Sequence, residues 1–199
     1  MNVRPVRTTV LTGVATGLAL LLAPHQLGGR GSRSAASRDP GAPIPVTLNL
    51  SSAVFEDGGL IPPEHDYSMG SQCRGKNISP ELAWSGVPEG AACLALTVVD
   101  PDGGDWVHWL LYDIPADLAE LPAAVGGPDI GVAGMTTYRR VGYGGPCPPS
   151  GTHRYVFTLY ALDAPTCLPP GATFGEFTTA IAGHVLGIGT LAGLRAARR

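Results

Sequence analysis

The chain has 199 residues, enough for one domain with a real core. It carries 28 Gly and 19 Pro and only 15% charged residues. Many turns between short apolar runs argue against a helical bundle and for an all-β body. The first 36 residues hold four of the 13 Lys and Arg (Arg4, Arg7, Arg30, Arg33) and no acid, so the rest carries nine bases against 16 acids, a formal −7. That charge excludes a general binder of nucleic acid or of anionic lipid surfaces.

Met1–Thr8 is basic, and Thr9–Ala23 is an unbroken apolar or small run of 15 residues. A basic start before such a run reads as a secretory signal, with an uncleaved membrane anchor as the alternative. The expected organisation is a leader over 1–36, a Gly/Ser/Ala/Pro-rich linker over 37–45 and one domain over 46–199. The protein is thus expected to be exported, either secreted or held at the cell envelope. Val46–Phe55 alternates apolar and polar residues, as a half-buried strand does. Ile61–Lys76 is a loop with Pro62-Pro63, and Asn77–Trp84 leads into a short strand. Cys93–Val99 is a strong central strand that stops before Asp100-Pro101, where proline disfavours helix. Trp106–Ile114 is a second buried strand, and Pro122–Arg140 is mostly loop. His153–Leu162 is the third, with Tyr155, Phe157, Leu159 and Ala161 on one face. Thr173-x-x-Glu176 is a capping-box pattern, and Gly175–Leu186 is expected to be a helix ended by Gly187. Thr190–Leu194 is expected to be a last strand.

Three pieces carry chemistry: Asp100-Pro-Asp102, Trp106-Val-His108-Trp109, and Gly142-Tyr-Gly-Gly-Pro-Cys-Pro-Pro-Ser-Gly-Thr-His153. They put two carboxylates, two imidazoles and a rigid Pro/Gly loop at strand ends. These pieces, with Asn77-Ile-Ser-Pro-Glu-Leu-Ala-Trp84, Asp113-Ile-Pro115 and the run from Gly142 to Asp163, make the chain resemble the phosphatidylethanolamine-binding proteins, in their bacterial Raf-kinase-inhibitor-like branch. The resemblance covers about residues 46 to 195. It implies a mostly β fold, a sandwich of two antiparallel sheets with a C-terminal helix and a small anion pocket at one end. It also implies a phosphate-like or phosphoethanolamine-like ligand, as on a phospholipid headgroup. The ligand residues it implies are Asp100, Asp102, His108, Tyr143, Gly145, Pro146 and His153, with no cofactor and no metal. The C-terminus departs from the family by being Arg-rich.

Residue chemistry agrees with that pocket. Asp100 and Asp102 follow the end of one strand and His153 begins another, so the two strands must run antiparallel to share a pocket. Gly144-Gly145 would let backbone N–H groups approach a ligand closely. Asp100 or Asp102 is expected to orient and charge an imidazole, His108 or His153, whose N–H groups then hold the anion. Arg154 points away from His153 as an ion-pair partner, and His184 is structural. The same antiparallel arrangement sorts the cysteines by pole and predicts Cys73–Cys147 and Cys93–Cys167 disulfides. None of the four forms C-x-x-C.

The leading function is a secreted binding module for a small anionic or phosphorylated group. The alternative is a protein inhibitor of a kinase or protease, for which Met135–Arg140 is the basic-aromatic candidate segment. A hydrolase is disfavoured, since G-x-S-x-G, H-E-x-x-H and a P-loop are absent.

Overall fold

The computed structural model describes residues 45–69, 73–125 and 130–198. The expected leader and most of the expected linker lie outside the described residues. No helix among those described is long and apolar enough to cross a membrane.

The largest sheet has six strands. They are β1 (Val46–Thr47), β6 (Cys93–Asp100), β7 (Trp106–Pro115), β9 (Val132–Ala133), β10 (Thr152–Leu162) and β11 (Val185–Ala196), in the spatial order β1-β11-β10-β6-β7-β9. A second sheet has the order β2 (Asn49–Ser51), β5 (Leu82–Ser85), β8 (Glu120–Leu121). A small third sheet pairs β3 (Ser68–Met69) with β4 (Cys73–Arg74). The expected β-rich sandwich is present, with one departure: β1 joins β11 in parallel, so the large sheet is mixed at that edge. The expected strand Val46–Phe55 divides at Leu48. Val46–Thr47 belongs to the large sheet and Asn49–Ser51 to the facing one, and the strand stops there, short of the expected Phe55.

The main core lies between these two sheets. Leu94, Leu96, Val98, Phe157, Leu159 and Trp109 face Leu50, Leu82, Trp84 and Leu121 across it. Strand β6 is buried on both sides, which explains its uninterrupted apolar run. Its other face packs with Leu110 and Tyr112 against Phe177 and Ile181 of the helical segment, forming a second core.

Helix α1 (Phe174–Ala180) starts where the sequence marks it. Thr173 accepts from the Glu176 N–H, and the Glu176 carboxylate accepts from the Thr173 N–H. It ends earlier than the expected Gly175–Leu186. Gly183 adopts φ +84°, and Val185 begins a 12-residue strand that pairs with β10 along nearly its whole length. Ile181 and Val185 have helical spacing, but the cross-strand pairing wins beyond the left-handed glycine.

Cys73 and Cys147 form a disulfide. Cys93 and Cys167 do not, contrary to the sequence expectation. They do lie at the same pole, but the Cys93 thiol is turned to Asp113 Oδ1 (3.6 Å) and Ala164 O (3.4 Å). Burial, aided by the Asp113 charge, pushes that thiol up to about 12. A thiol held protonated is a poor nucleophile. In the native protein iodoacetamide is therefore expected to label exposed Cys167 and spare Cys93. Reducing Cys73–Cys147 is expected to cost about 2–4 kcal/mol of stability in chemical denaturation. Rapid native labelling of Cys93 would contradict this placement.

Candidate functional site

The pocket opens at the end of the large sheet where β6 finishes and β10 begins. The antiparallel register sets Val99 of β6 opposite Val156 of β10, so Asp100 and His153 reach the same pole, as the sequence required. Asp100, Asp102, Gly103, Trp106, His108 and His153 form one wall of a cavity of about 880 Å³. Tyr155 continues the wall beside His153, and Tyr138 and Cys147–Ser150 complete the lining, with exposed Met69 and Arg198 at the rim.

Asp100 is buried and uses both carboxylate oxygens. Oδ2 lies 2.7 Å from His153 Nδ1, and Oδ1 accepts from the Gly103 N–H at 2.8 Å. The pair fixes the His153 ring with Nδ1 inward, which leaves Nε2 for other partners. Asp102 orients neither imidazole. It accepts from Arg154 Nε (3.0 Å), Nη2 (2.8 Å) and the backbone N–H (2.9 Å). Those Arg154 hydrogen bonds hold its carboxyl down at about 2. Alternation along β10 makes this division: His153 faces the pocket and Arg154 the opposite side. The expected role of Arg154 as an ion-pair partner is met.

His108, at 3% exposure, pairs with no carboxylate among the described residues. Its Nδ1 lies 2.6 Å from Gly144 O and 3.1 Å from Gly145 O. Burial shifts this imidazole below the ordinary histidine range. One histidine is thus seated on a carboxylate, the other on carbonyls.

Three of the expected ligand residues stand behind the wall. The Tyr143 ring packs edge-on against Trp109, and its hydroxyl donates to His65 O at 3.1 Å. The Gly145 N–H donates to Asn77 Oδ1 at 2.8 Å, and the Gly144 N–H donates to His108 O at 2.8 Å. Neither N–H is free for a ligand. Pro146 is buried, and its carbonyl accepts from the Tyr67 N–H at 3.0 Å. The double glycine serves packing instead: a Cβ on Gly145 would overlap the His65 carbonyl oxygen, and one on Gly144 would sit 2.6 Å from the Tyr138 ring. The Asn77 side chain spans this loop, donating to Tyr143 O while accepting from Gly145. His184 lies outside the pocket, paired with Asp163.

Two aromatic residues of the pocket wall, Tyr155 and Tyr138, are not among the expected ligand residues, nor is Arg198. Tyr155 was assigned to the core face, where its ring does lie. Its hydroxyl, however, is buried against the pocket beside the Cys147 backbone, with no well-formed hydrogen bond among the described residues. The signal was present, because Tyr155 is two residues from His153 and so shares its side of the strand. Tyr138 carries no such periodicity. It stacks on Tyr67 (centroids 4.2 Å apart), lies edge-on to His108 and Trp106, and donates to Gly145 O. The basic-aromatic segment Met135–Arg140 therefore builds part of the pocket wall. Burial raises both tyrosine hydroxyls above their ordinary range and keeps them as donors.

Comparison with known proteins agrees with this architecture. The family model described as "Phosphatidylethanolamine-binding protein" matches residues 51–196. A protein described only as "UPF0098 protein" from Methanothermobacter thermautotrophicus is 45% identical over 153 residues, covering 74% of this chain and 97% of its own. The protein described as "Putative lipoprotein LppC" in Mycobacterium tuberculosis is 40% identical over 201 residues, covering 92% of this chain and 94% of its own. The crystal structure of Escherichia coli YbcL, described as a new member of the mammalian PEBP family, superposes with a TM-score of 0.71 at 29% identity, over 77% of this chain and all of that one. On the family match, the relatives and the shared fold, the chain belongs to the phosphatidylethanolamine-binding protein family, in its bacterial branch.

Proposed function

We propose that the pocket binds a small oxyanion of the phosphate type, either free or as the end group of a larger molecule. The observation that carries this reading is the Tyr155 hydroxyl, buried beside the Cys147 backbone with no well-formed hydrogen bond among the described residues, on the wall next to the Asp100–His153 pair. An unmet buried hydroxyl costs about 1–3 kcal/mol, which a ligand oxygen accepting from it would relieve. His153 Nε2 supplies a second donor once the ring is charged, and the Asp100 carboxylate stabilises that charge. Arg198 adds a cation at the rim, and among the described residues no carboxylate pairs with it.

Tyr155→Phe removes the hydroxyl donor and is expected to weaken inorganic phosphate binding by about tenfold. Isothermal titration calorimetry on both proteins is the test. Unchanged affinity in the variant, or no binding at millimolar phosphate, would sink the reading.

We read the protein as a binder and not an enzyme. Ser150 lies in a Pro/Ser/Gly loop, and the Asp100 carboxylate orients His153 toward the pocket as a donor. We further infer export, with residues 1–36 as leader and 37–45 as linker. A disulfide within the domain suits an oxidising compartment, and the similarity to a protein described as a lipoprotein suits the cell envelope.

A further inference from the structure

A second cavity, of about 690 Å³, opens at the edge of the sandwich. Trp109 and Leu111 of β7, Val132 of β9, Ile78, Val141 and Tyr143 line it, and it shares no lining residue with the first pocket. Its size falls in the range of small-molecule sites, roughly 300–1,000 Å³. The lining is mostly apolar, and among the described residues it includes no charged side chain and no histidine. Trp109 and Leu111 also belong to the main core, so the cavity opens onto core side chains. Val141 stands at its margin, 53% exposed.

Two hydrogen-bond donors in this apolar lining are unused. Trp84 Nε1 donates to Leu118 O at 2.8 Å, as a buried indole usually does. The Trp109 indole N–H meets no acceptor among the described residues, although the residue is only 1% exposed. Its nitrogen is not sealed in the core, so the sliver of surface that the ring keeps includes it. Ser79 is buried and accepts from the Val125 N–H at 3.0 Å, while its own hydroxyl hydrogen has no acceptor among those residues. The other polar side chains are committed, Asn77 to Tyr143 O and the Gly145 N–H, and the Tyr143 hydroxyl to His65 O. The cavity thus offers donors and no charge. A carboxylate or phosphate entering it would find no cation to offset its desolvation. A neutral acceptor would relieve the unpaired donors. We propose that this cavity is a second binding site, for a neutral and largely apolar small molecule whose carbonyl oxygen accepts from the Trp109 N–H. Ser79 is the second donor available to such a molecule, and Ile78, Leu111 and Val132 give its apolar part a surface to pack on.

The experiment follows the Trp109 indole N–H in proton–nitrogen correlation spectra of the unmodified protein, with three probes of similar size: acetophenone, ethylbenzene and benzoate. Trp109→Phe identifies the resonance by deleting it, and triple-resonance assignment serves if that variant does not fold. Acetophenone is expected to move the resonance downfield, saturably, at millimolar concentration. Ethylbenzene lacks the carbonyl and benzoate is charged. Each is expected to bind about tenfold more weakly, the effect of one lost hydrogen bond or of one uncompensated charge. A Trp109 resonance unmoved at the solubility limit of acetophenone would overturn the proposal. So would ethylbenzene or benzoate binding as tightly as acetophenone. None of these results bears on phosphate binding at the first pocket, and failure of phosphate to bind there would leave this site standing.

Discussion

Arg195→Met is expected to destabilise the fold by about 3–5 kcal/mol, the loss seen when one partner of a buried ion pair is removed. Arg195 Nε and Nη2 meet the two carboxylate oxygens of Asp66 at 2.6 and 2.7 Å, and the side chains are only 16% and 4% exposed. The pair ties the end of β11 to the segment from Pro62 to Asn77. That segment is itself held by the Asn77 N–H on Asp66 O and the Tyr67 N–H on Pro146 O. Asp66 left alone is a buried carboxylate stripped of its cation. The double variant Asp66→Asn/Arg195→Met removes the stranded charge and is expected to recover more than half of the loss. Urea denaturation of the two variants measures both effects. A loss below about 1 kcal/mol in the single variant would mean that the pair is solvated in solution.

His153→Gln is expected to weaken inorganic phosphate binding by about 10–100-fold, the effect of one charge-assisted hydrogen bond. Stability is expected to fall as well, because the substitution leaves the buried Asp100 carboxylate without its partner, the two side chains being only 12% and 5% exposed. Asp100→Asn separates binding from positioning. Asp100 acts through the ring, so its substitution is expected to weaken binding less than His153→Gln does. Calorimetry on both variants reads the two effects apart. A His153→Gln protein that keeps wild-type affinity would take His153 out of the site.

The strands were legible where burial imposes period-two alternation or an unbroken apolar run. β6, β7 and β10 stand within a residue or two of their expected bounds. The antiparallel relation of β6 and β10 followed from the need to bring Asp100 and His153 to one pole, and it predicted the Cys73–Cys147 bridge. The loop from Gly142 to Pro146 was not legible in this way. A Pro/Gly loop has no period, so the sequence could not say that Tyr143 turns to Trp109 or that Asn77 and His108 use the two glycine N–H groups. Tyr138 was hidden for the same reason. The roles of Asp100 and Asp102 also depended on side-chain direction, since either carboxylate fits the sequence-level argument.

The Arg154–Asp102 fork has a kinetic consequence. It cancels one carboxylate at the mouth, and Asp100 is matched within by His153, so the pocket projects little field of its own into solvent. The body around it carries a formal −7. An anion therefore approaches against a weak long-range repulsion, with Arg198 at the rim to draw it in. Added salt, which slows capture at basic anion sites, screens that repulsion here and leaves the short-range bonds in place. Encounter is governed by the acidity of the whole surface, and retention by a few buried groups.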